Sequence, residues 1–417
     1  MRQPSQHTRR EFLTAAASTC ALAGRAAAAG LPGGFEVSAS LYAWDLHDEG
    51  IERILDNLQL MASVNSVYLI ALMHYERRPL TSAEFPHNPM RRMFQAEDSR
   101  VYWRPEMKRY GRIKPLLSDY DWLRAADWMK VLIDAARKRG LKTGVELSHT
   151  VLDLDRAKGE FIDCVQRDIH GQPRAVYGRS YPICPNSPDA RQYVLNLFTD
   201  LAAHYDLDYA QTCTLPFMPG GPDKGGCFCA SCVRAAKEVG LDLEKAKSVF
   251  LAKPDAQPEL DQWQKFRHDS IARYYEVMHK GLHALKPKID LRFNDCFPEL
   301  ADWGVSLPVL KPHVDSVRIM DYSEQRGTAE ALKVKRAWLT RERQGLGKDF
   351  PILSAIAVRP KATPELIREG VRIALDCGMD GITLGHYDGA EFPMLRAITD
   401  GLNDVGVKVA PTLVKKS

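Results

Sequence analysis

The chain has little of most features that mark a specialised protein class. Its 57 Lys and Arg against 53 Asp and Glu leave a formal charge of +4 over 417 residues. A balance that weak, with no dense Lys/Arg run, excludes a stripe that tracks nucleic-acid phosphates. Nine cysteines exclude a disulfide scaffold, and an odd count excludes complete pairing. Past Gly34 there is no linker and no low-complexity segment. No Gly-rich nucleotide loop follows any strand candidate, which argues against an open dinucleotide-binding sheet. No stretch has the roughly 20 consecutive apolar residues of a membrane span. What is present is 45% apolar and 26% charged residues of mixed sign, a globular composition.

The first 29 residues read as an address. Thr8-Arg9-Arg10-Glu11-Phe12-Leu13 sets two arginines before an apolar pair, and an Ala-rich stretch without acids runs from Leu13 to Ala29. A basic start, a weakly apolar middle and Ala-x-Ala near residue 29 form a signal peptide of twin-arginine type. Cys20 suggests a lipoprotein cysteine instead, but Ala17-Ser18-Thr19 lacks the usual branched apolar residue. Export by that machinery to the periplasm or beyond is the expectation, with residues 1–29 as leader and 30–417 as the mature domain. Arg2, Arg9, Arg10 and Arg25 fall in the leader against one acid, Glu11, so most of the basic bias belongs to it.

The remainder repeats one unit: a short apolar run, a polar loop, a helix-period segment. Strand candidates are 36–44, 66–73, 142–147, 208–214, 290–294, 316–320, 352–358 and 381–384. Helix candidates are 51–62, 120–139, 188–204, 261–285, 299–310, 329–343, 364–377 and 393–405. Eight such units predict a single (β/α)8 TIM barrel, class α/β. Its longest loops follow strands two, three and four, at about residues 74–119, 148–186 and 214–260. The active site of such a barrel lies at the C-terminal ends of the strands.

The most specific motif is Cys227-x-Cys229-x-x-Cys232. Three thiols this close converge on one tetrahedral ion, and Cys184 is the best fourth, ahead of Cys213. Four thiolates around zinc make a closed, structural site. Disulfides or free thiols are the alternative in an oxidising compartment, although a protein exported already folded can carry its metal with it. Arg179-Ser180-Tyr181-Pro182-Ile183-Cys184-Pro185-Asn186-Ser187-Pro188, followed by a helix, a strand and the three-cysteine motif, resembles the middle of family 42 glycoside hydrolases. The resemblance is close from Arg179 to Cys232. It implies a β-galactosidase-type barrel and zinc held by Cys184, Cys227, Cys229 and Cys232. The chain departs from that family at the chemistry. Strand four ends Gln211-Thr212-Cys213-Thr214 and strand seven ends Ala357-Val358-Arg359, without the family's two glutamates.

Catalytic carboxyls are therefore sought at other strand ends. Glycoside cleavage needs one protonated and one ionised carboxyl flanking the bond. Asp295 and Asp321 sit on adjacent strand ends and are the first pair, with Glu146 third. Trp44, Tyr75, Tyr322 and Tyr387 offer apolar faces to sugar rings. Asp45, His74, His149, Gln211, Asn294, Glu324, His386 and Asp388 offer hydrogen bonds. Arg179, Arg318 and Arg359 could clamp a carboxylate such as a uronic acid, or hold an Asp in place. Two other readings stay open. Glu146, His149, Asp295, Asp321, His386 and Asp388 could hold a catalytic divalent metal in a sugar isomerase, lyase or hydrolase. The barrel could also bind sugar without turnover. No organic cofactor is expected, and the oligomeric state has no signal.

Overall fold

The computed structural model describes residues 34–407 apart from 74–75, 79–93, 97–99, 148–150, 154–158, 176–179 and 213–215. The expected leader (1–29), His74, Tyr75, His149, Arg179 and Cys213 lie outside the described residues. Eight strands form the barrel: β1 (Glu36–Leu41), β2 (Ser66–Met73), β3 (Lys142–Leu147), β4 (Tyr209–Thr212), β5 (Asp290–Asp295), β6 (Ser316–Ile319), β7 (Ile352–Ala357) and β8 (Gly381–Gly385). Each pairs in parallel with the next, and β8 pairs with β1, so the sheet closes. The expected barrel is the observed one. No helix among the described residues is long and apolar enough to cross a membrane.

The helices α1 (Ile51–Ala62), α2 (Trp128–Lys138), α3 (Pro188–His204), α4 (Glu259–Leu285), α5 (Leu307–Leu310), α6 (Ala329–Leu346), α7 (Pro364–Asp376) and α8 (Phe392–Asp404) alternate with the strands. Their starts follow from local chemistry. Ser187, Thr328 and Thr363 accept hydrogen bonds from the backbone N–H groups of Ala190, Ala331 and Leu366, and Pro188 and Pro364 occupy first-turn positions. On α1 the apolar spacing buries Ile54, Leu55, Leu58 and Ala62 against the barrel.

Two expected helices come out shorter. Residues 299–310 divide into a 3-10 turn, Leu300–Trp303, and the single turn α5, because Gly304 between them is left-handed at φ +74°. A Cβ there would lie 2.8 Å from Phe217 and 3.0 Å from Arg267, so the chain breaks where only glycine fits. Residues 120–139 likewise split into Asp121–Arg124 and α2, with Asp127 capping the latter. Trp44, expected at the end of a strand, lies in a one-turn helix, Ala43–Asp45.

Side chains fill the barrel interior, and many are polar. At the floor Arg292 reaches Glu36 at 2.9 Å and Asp290 at 2.8 Å, and it lies 4.2 Å over the Tyr209 ring. Burial would raise the Glu36 carboxyl, but Arg292 outweighs it and holds the group below the usual carboxylate value. Higher up, Ser38 bonds Thr383 at 2.8 Å. Gly144 on β3 has no side chain because the Tyr209 ring occupies the place a Cβ would take. The polar filling continues upward to the C-terminal ends of the strands.

Candidate functional site

At the top of the barrel four strands bring polar side chains to one carboxylate. Glu146 on β3 accepts at Oε2 from Gln211 Nε2 on β4 (2.6 Å), Arg318 Nη1 on β6 (2.8 Å) and Asn294 Nδ2 on β5 (3.3 Å). None of the described residues donates to Oε1. Strand alternation explains the meeting. Glu146 and Gln211 are register partners, as are Asn294 and Arg318, so their side chains leave the sheet on the same inner face. All four are buried. Arg318 also donates to the Tyr322 hydroxyl at 3.1 Å and lies 5.4 Å over the Tyr68 ring. Burial alone would lower the Arg318 pKa, but the facing Tyr68, Tyr322 and Glu146 hold it above the ordinary arginine value. The result is a fixed ion pair beneath the mouth of the barrel.

A second group lies where β8 closes on β1. His386 Nδ1 is 2.9 Å from Ser40 Oγ and its ring stacks on Tyr42 at 5.2 Å. Trp44 stacks on the other side of this aromatic run, 4.2 Å from Tyr42 at 12°. Arg359, just past β7, pairs with Asp388 at 3.6 Å, and the charge of Asp388 offsets the burial of its guanidinium. Asp45 accepts the Tyr42 N–H at 2.8 Å and so shapes the turn that presents this aromatic pair. Tyr42, Ser40 and Tyr68 were not among the sequence candidates. The alternation Ser38, Ser40, Tyr42 along the first strand was the signal for the first two, whereas Tyr68 lies on β2.

Other expected residues serve the wall rather than the cleft, and the expected pairing of Asp295 with Asp321 needs correction. Asp295 follows Asn294 on β5, so it faces outward. There it accepts from Trp338 Nε1 of α6 at 3.2 Å and from the Phe297 N–H at 3.4 Å. Burial, then the charge of Glu342, push its carboxyl well above the usual range. Asp321 accepts the Ser323 N–H at 2.6 Å and tightens the turn after β6. Glu324 is fully buried between β7 and the helices. It pairs with Lys335 at 2.8 Å and accepts the Ala357 N–H at 3.0 Å, which makes it a wall residue instead of a sugar ligand. Tyr387 turns toward α1, where its hydroxyl meets Glu49 at 2.8 Å and Asn57 at 2.9 Å. Among the described residues, Glu146, Asp295, Asp321, His386 and Asp388 do not converge as metal ligands.

The cysteines do converge. Cys184, Cys227, Cys229 and Cys232 are all buried, and their sulfurs lie within 4.8 Å of one another. Cys184 is 3.5 Å from Cys232 and 3.4 Å from Cys229, and all four are unbridged. A tetrahedral ion with bonds of about 2.3 Å sets its sulfurs about 3.8 Å apart, so the set is compatible with a metal. The surroundings fit thiolates. The backbone N–H of Arg167 donates to Cys227, and the Asn186 N–H and side-chain amide donate to Cys184 and Cys232, each at 3.4 Å. Without a cation, burial pushes the Cys184 and Cys232 thiols well above the ordinary value. A bound cation would reverse that preference.

Comparison with known proteins places the fold. No family model matches the chain, and no curated protein matches it. Among solved structures, the PgaB (BpsB) glycoside hydrolase domain of Bordetella bronchiseptica superposes with a TM-score of 0.64 at 15% identity, over 89% of this chain and 99% of that one. The α-L-fucosidase isoenzyme 2 of Paenibacillus thiaminolyticus gives 0.57 at 14% identity, over 88% of this chain and 49% of its own. A family 42 β-galactosidase from G. stearothermophilus gives 0.57 at 12%, over 89% and 57%. The chain thus spans nearly the whole of the first neighbour and about half of the other two. At these identities the likeness establishes the barrel fold alone.

Proposed function

We propose that this chain is an exported glycoside hydrolase-like enzyme that cleaves a carbohydrate at the C-terminal face of its barrel through carboxyl acid/base chemistry. The observation that carries the proposal is the Glu146 cluster. A buried carboxylate ion-paired with Arg318, whose donors among the described residues all meet one oxygen, offers the other oxygen as nucleophile or base. Gln211 and Asn294 orient it. The acid partner is a second carboxyl that must reach the same cleft, a part that Asp321, turned into the wall after β6, does not play. Tyr322, which is part-exposed, supplies an aromatic face, while the part-exposed Arg359 and His386 supply polar contacts to hydroxyls and the buried Tyr42 and Trp44 back them. The neighbours that share this barrel and are named as glycoside hydrolases, a fucosidase and a β-galactosidase support the substrate class. Cys184, Cys227, Cys229 and Cys232 would hold zinc in a closed structural site, supplying rigidity to the loop after β4 rather than chemistry.

Screening the purified protein against aryl glycosides and oligosaccharides, with elemental analysis of the same sample, tests this reading. Product release and one zinc per chain are expected. Sugar affinity by calorimetry with no product on long incubation would convert the enzyme into a binding barrel. A second metal whose chelation stops activity would favour metal-dependent chemistry.

A further inference from the structure

We propose that His279, His283 and Asp315 form a second metal site, for a divalent first-row transition ion, at the end of the barrel away from the Glu146 cluster. The proposal is independent of the catalytic reading. His279 and His283 are one turn apart on the last stretch of α4, so their side chains share a face. Their rings stack at 4.0 Å and 24°. His279 Nε2 lies 3.2 Å from Asp315 Oδ1, and His283 Nε2 lies 3.0 Å from Oδ2. The three ligand atoms fall within 4.8 Å of one another.

The carboxylate is fixed in advance. Asp315 precedes β6, its N–H donates to the Leu291 carbonyl at 2.9 Å, and its Oδ2 accepts the Leu291 N–H at 2.8 Å. The helix therefore presents two imidazoles to a carboxylate that the barrel floor already holds. With protons on Nε2, both rings donate to Asp315. With protons on Nδ1, two lone pairs and a carboxylate oxygen face one point, and no net proton leaves. That is a His–His–carboxylate set, which suits Zn2+, Ni2+ and Cu2+ over Mg2+ or Ca2+. Side-chain exposures of 25%, 27% and 31% let an ion enter and leave room for water at the remaining positions. A bound ion would tie the end of α4 to the floor of β5 and β6, the strands that carry Asn294 and Arg318 at their other ends.

Titrating Ni2+ into protein whose cysteine cluster is already loaded with Zn2+ tests the site by calorimetry. Saturable binding of one Ni2+ per chain is expected. His279→Gln and His283→Gln should each weaken it at least about tenfold, the scale on which metal sites lose affinity when their ligand shell is damaged. Both positions are half-buried, and unchanged circular dichroism would confirm folding. Cu2+ added to the same zinc-loaded parent should show coupling to two nitrogens in its paramagnetic resonance spectrum, a readout that needs no variant. Absence of saturable Ni2+ binding, equal affinity in the folded variants, or a copper spectrum without nitrogen coupling would overturn the proposal.

Discussion

Lys335→Met removes the ammonium that faces Glu324 in the wall beneath β7. Both side chains are fully buried, and their charged atoms are 2.8 Å apart. The same ammonium donates to the Asp321 carbonyl at 3.0 Å and the Ala355 carbonyl at 2.6 Å. Removing one partner of a buried pair leaves an uncompensated charge and costs about 3–5 kcal/mol. Burial already raises the Glu324 carboxyl even though Lys335 opposes it, so without Lys335 the group rises further. Adding Glu324→Gln to Lys335→Met removes the stranded charge and should recover roughly 2 kcal/mol, a coupling typical of groups in one network. Urea unfolding followed by tryptophan fluorescence and circular dichroism reads both effects. At a slope of about 3 kcal/mol/M, the single variant loses about 1–1.7 M in midpoint. Its deficit should shrink at pH 5 relative to pH 8, because acid lets Glu324 take a proton and shed its charge. A single-variant loss below about 1 kcal/mol, or a double variant equal to the sum of both singles, would refute the structural role of this pair.

Asp295→Asn tests the other displaced carboxylate. Its folded-state value is raised, so the folded chain binds the extra proton, and the parent loses stability as pH climbs from the ordinary carboxyl value through the folded one. The melting temperature of the parent minus that of the variant should therefore fall from pH 5 to pH 8, and a constant or rising difference would contradict the assignment. Cys232→Ser should lower bound metal below the parent content and depress thermal stability, read by elemental analysis and calorimetry. Equal metal in both would remove Cys232 from the ligand set. Gly144→Ala drives a methyl into the Tyr209 ring, which cannot withdraw because its hydroxyl holds Ser66 at 2.8 Å and Arg292 covers its face. A loss of about 1–3 kcal/mol is expected from overpacking, and an unchanged melting temperature would count against the packed barrel interior.

The barrel was legible because its units are local: an apolar run, a loop and an amphipathic helix, eight times over. The cysteine cluster was legible for the same reason, since three of its members lie within six residues and the fourth opens the loop before α3. The helix expected at 299–310 failed because its periodicity hid a left-handed glycine whose need is set by Phe217 and Arg267, far away in sequence. Site residues were legible by strand end but not by face. Asn294 and Asp295 are neighbours, yet one enters the barrel and the other meets Trp338. Glu324 and Tyr387 follow strands and turn back into the helix layer, which no spacing announces. Glu146 was ranked third because nothing local shows that Gln211, Asn294 and Arg318 would gather on its Oε2. His279 and His283 have a helical spacing that is readable, but their partner Asp315 is brought to them only by closure of the sheet.

The central claim is that Glu146 is the working carboxylate of a glycoside-cleaving site. Its most direct test compares parent and Glu146→Gln on one glycoside that the parent cleaves, with circular dichroism and zinc content measured on both. A folded, zinc-containing variant that still binds the sugar but turns over at least about a thousandfold more slowly, a loss of roughly 4 kcal/mol in transition-state stabilisation, is the expected result. Unchanged turnover in the folded variant, or a parent that cleaves no glycoside in the panel, would contradict it.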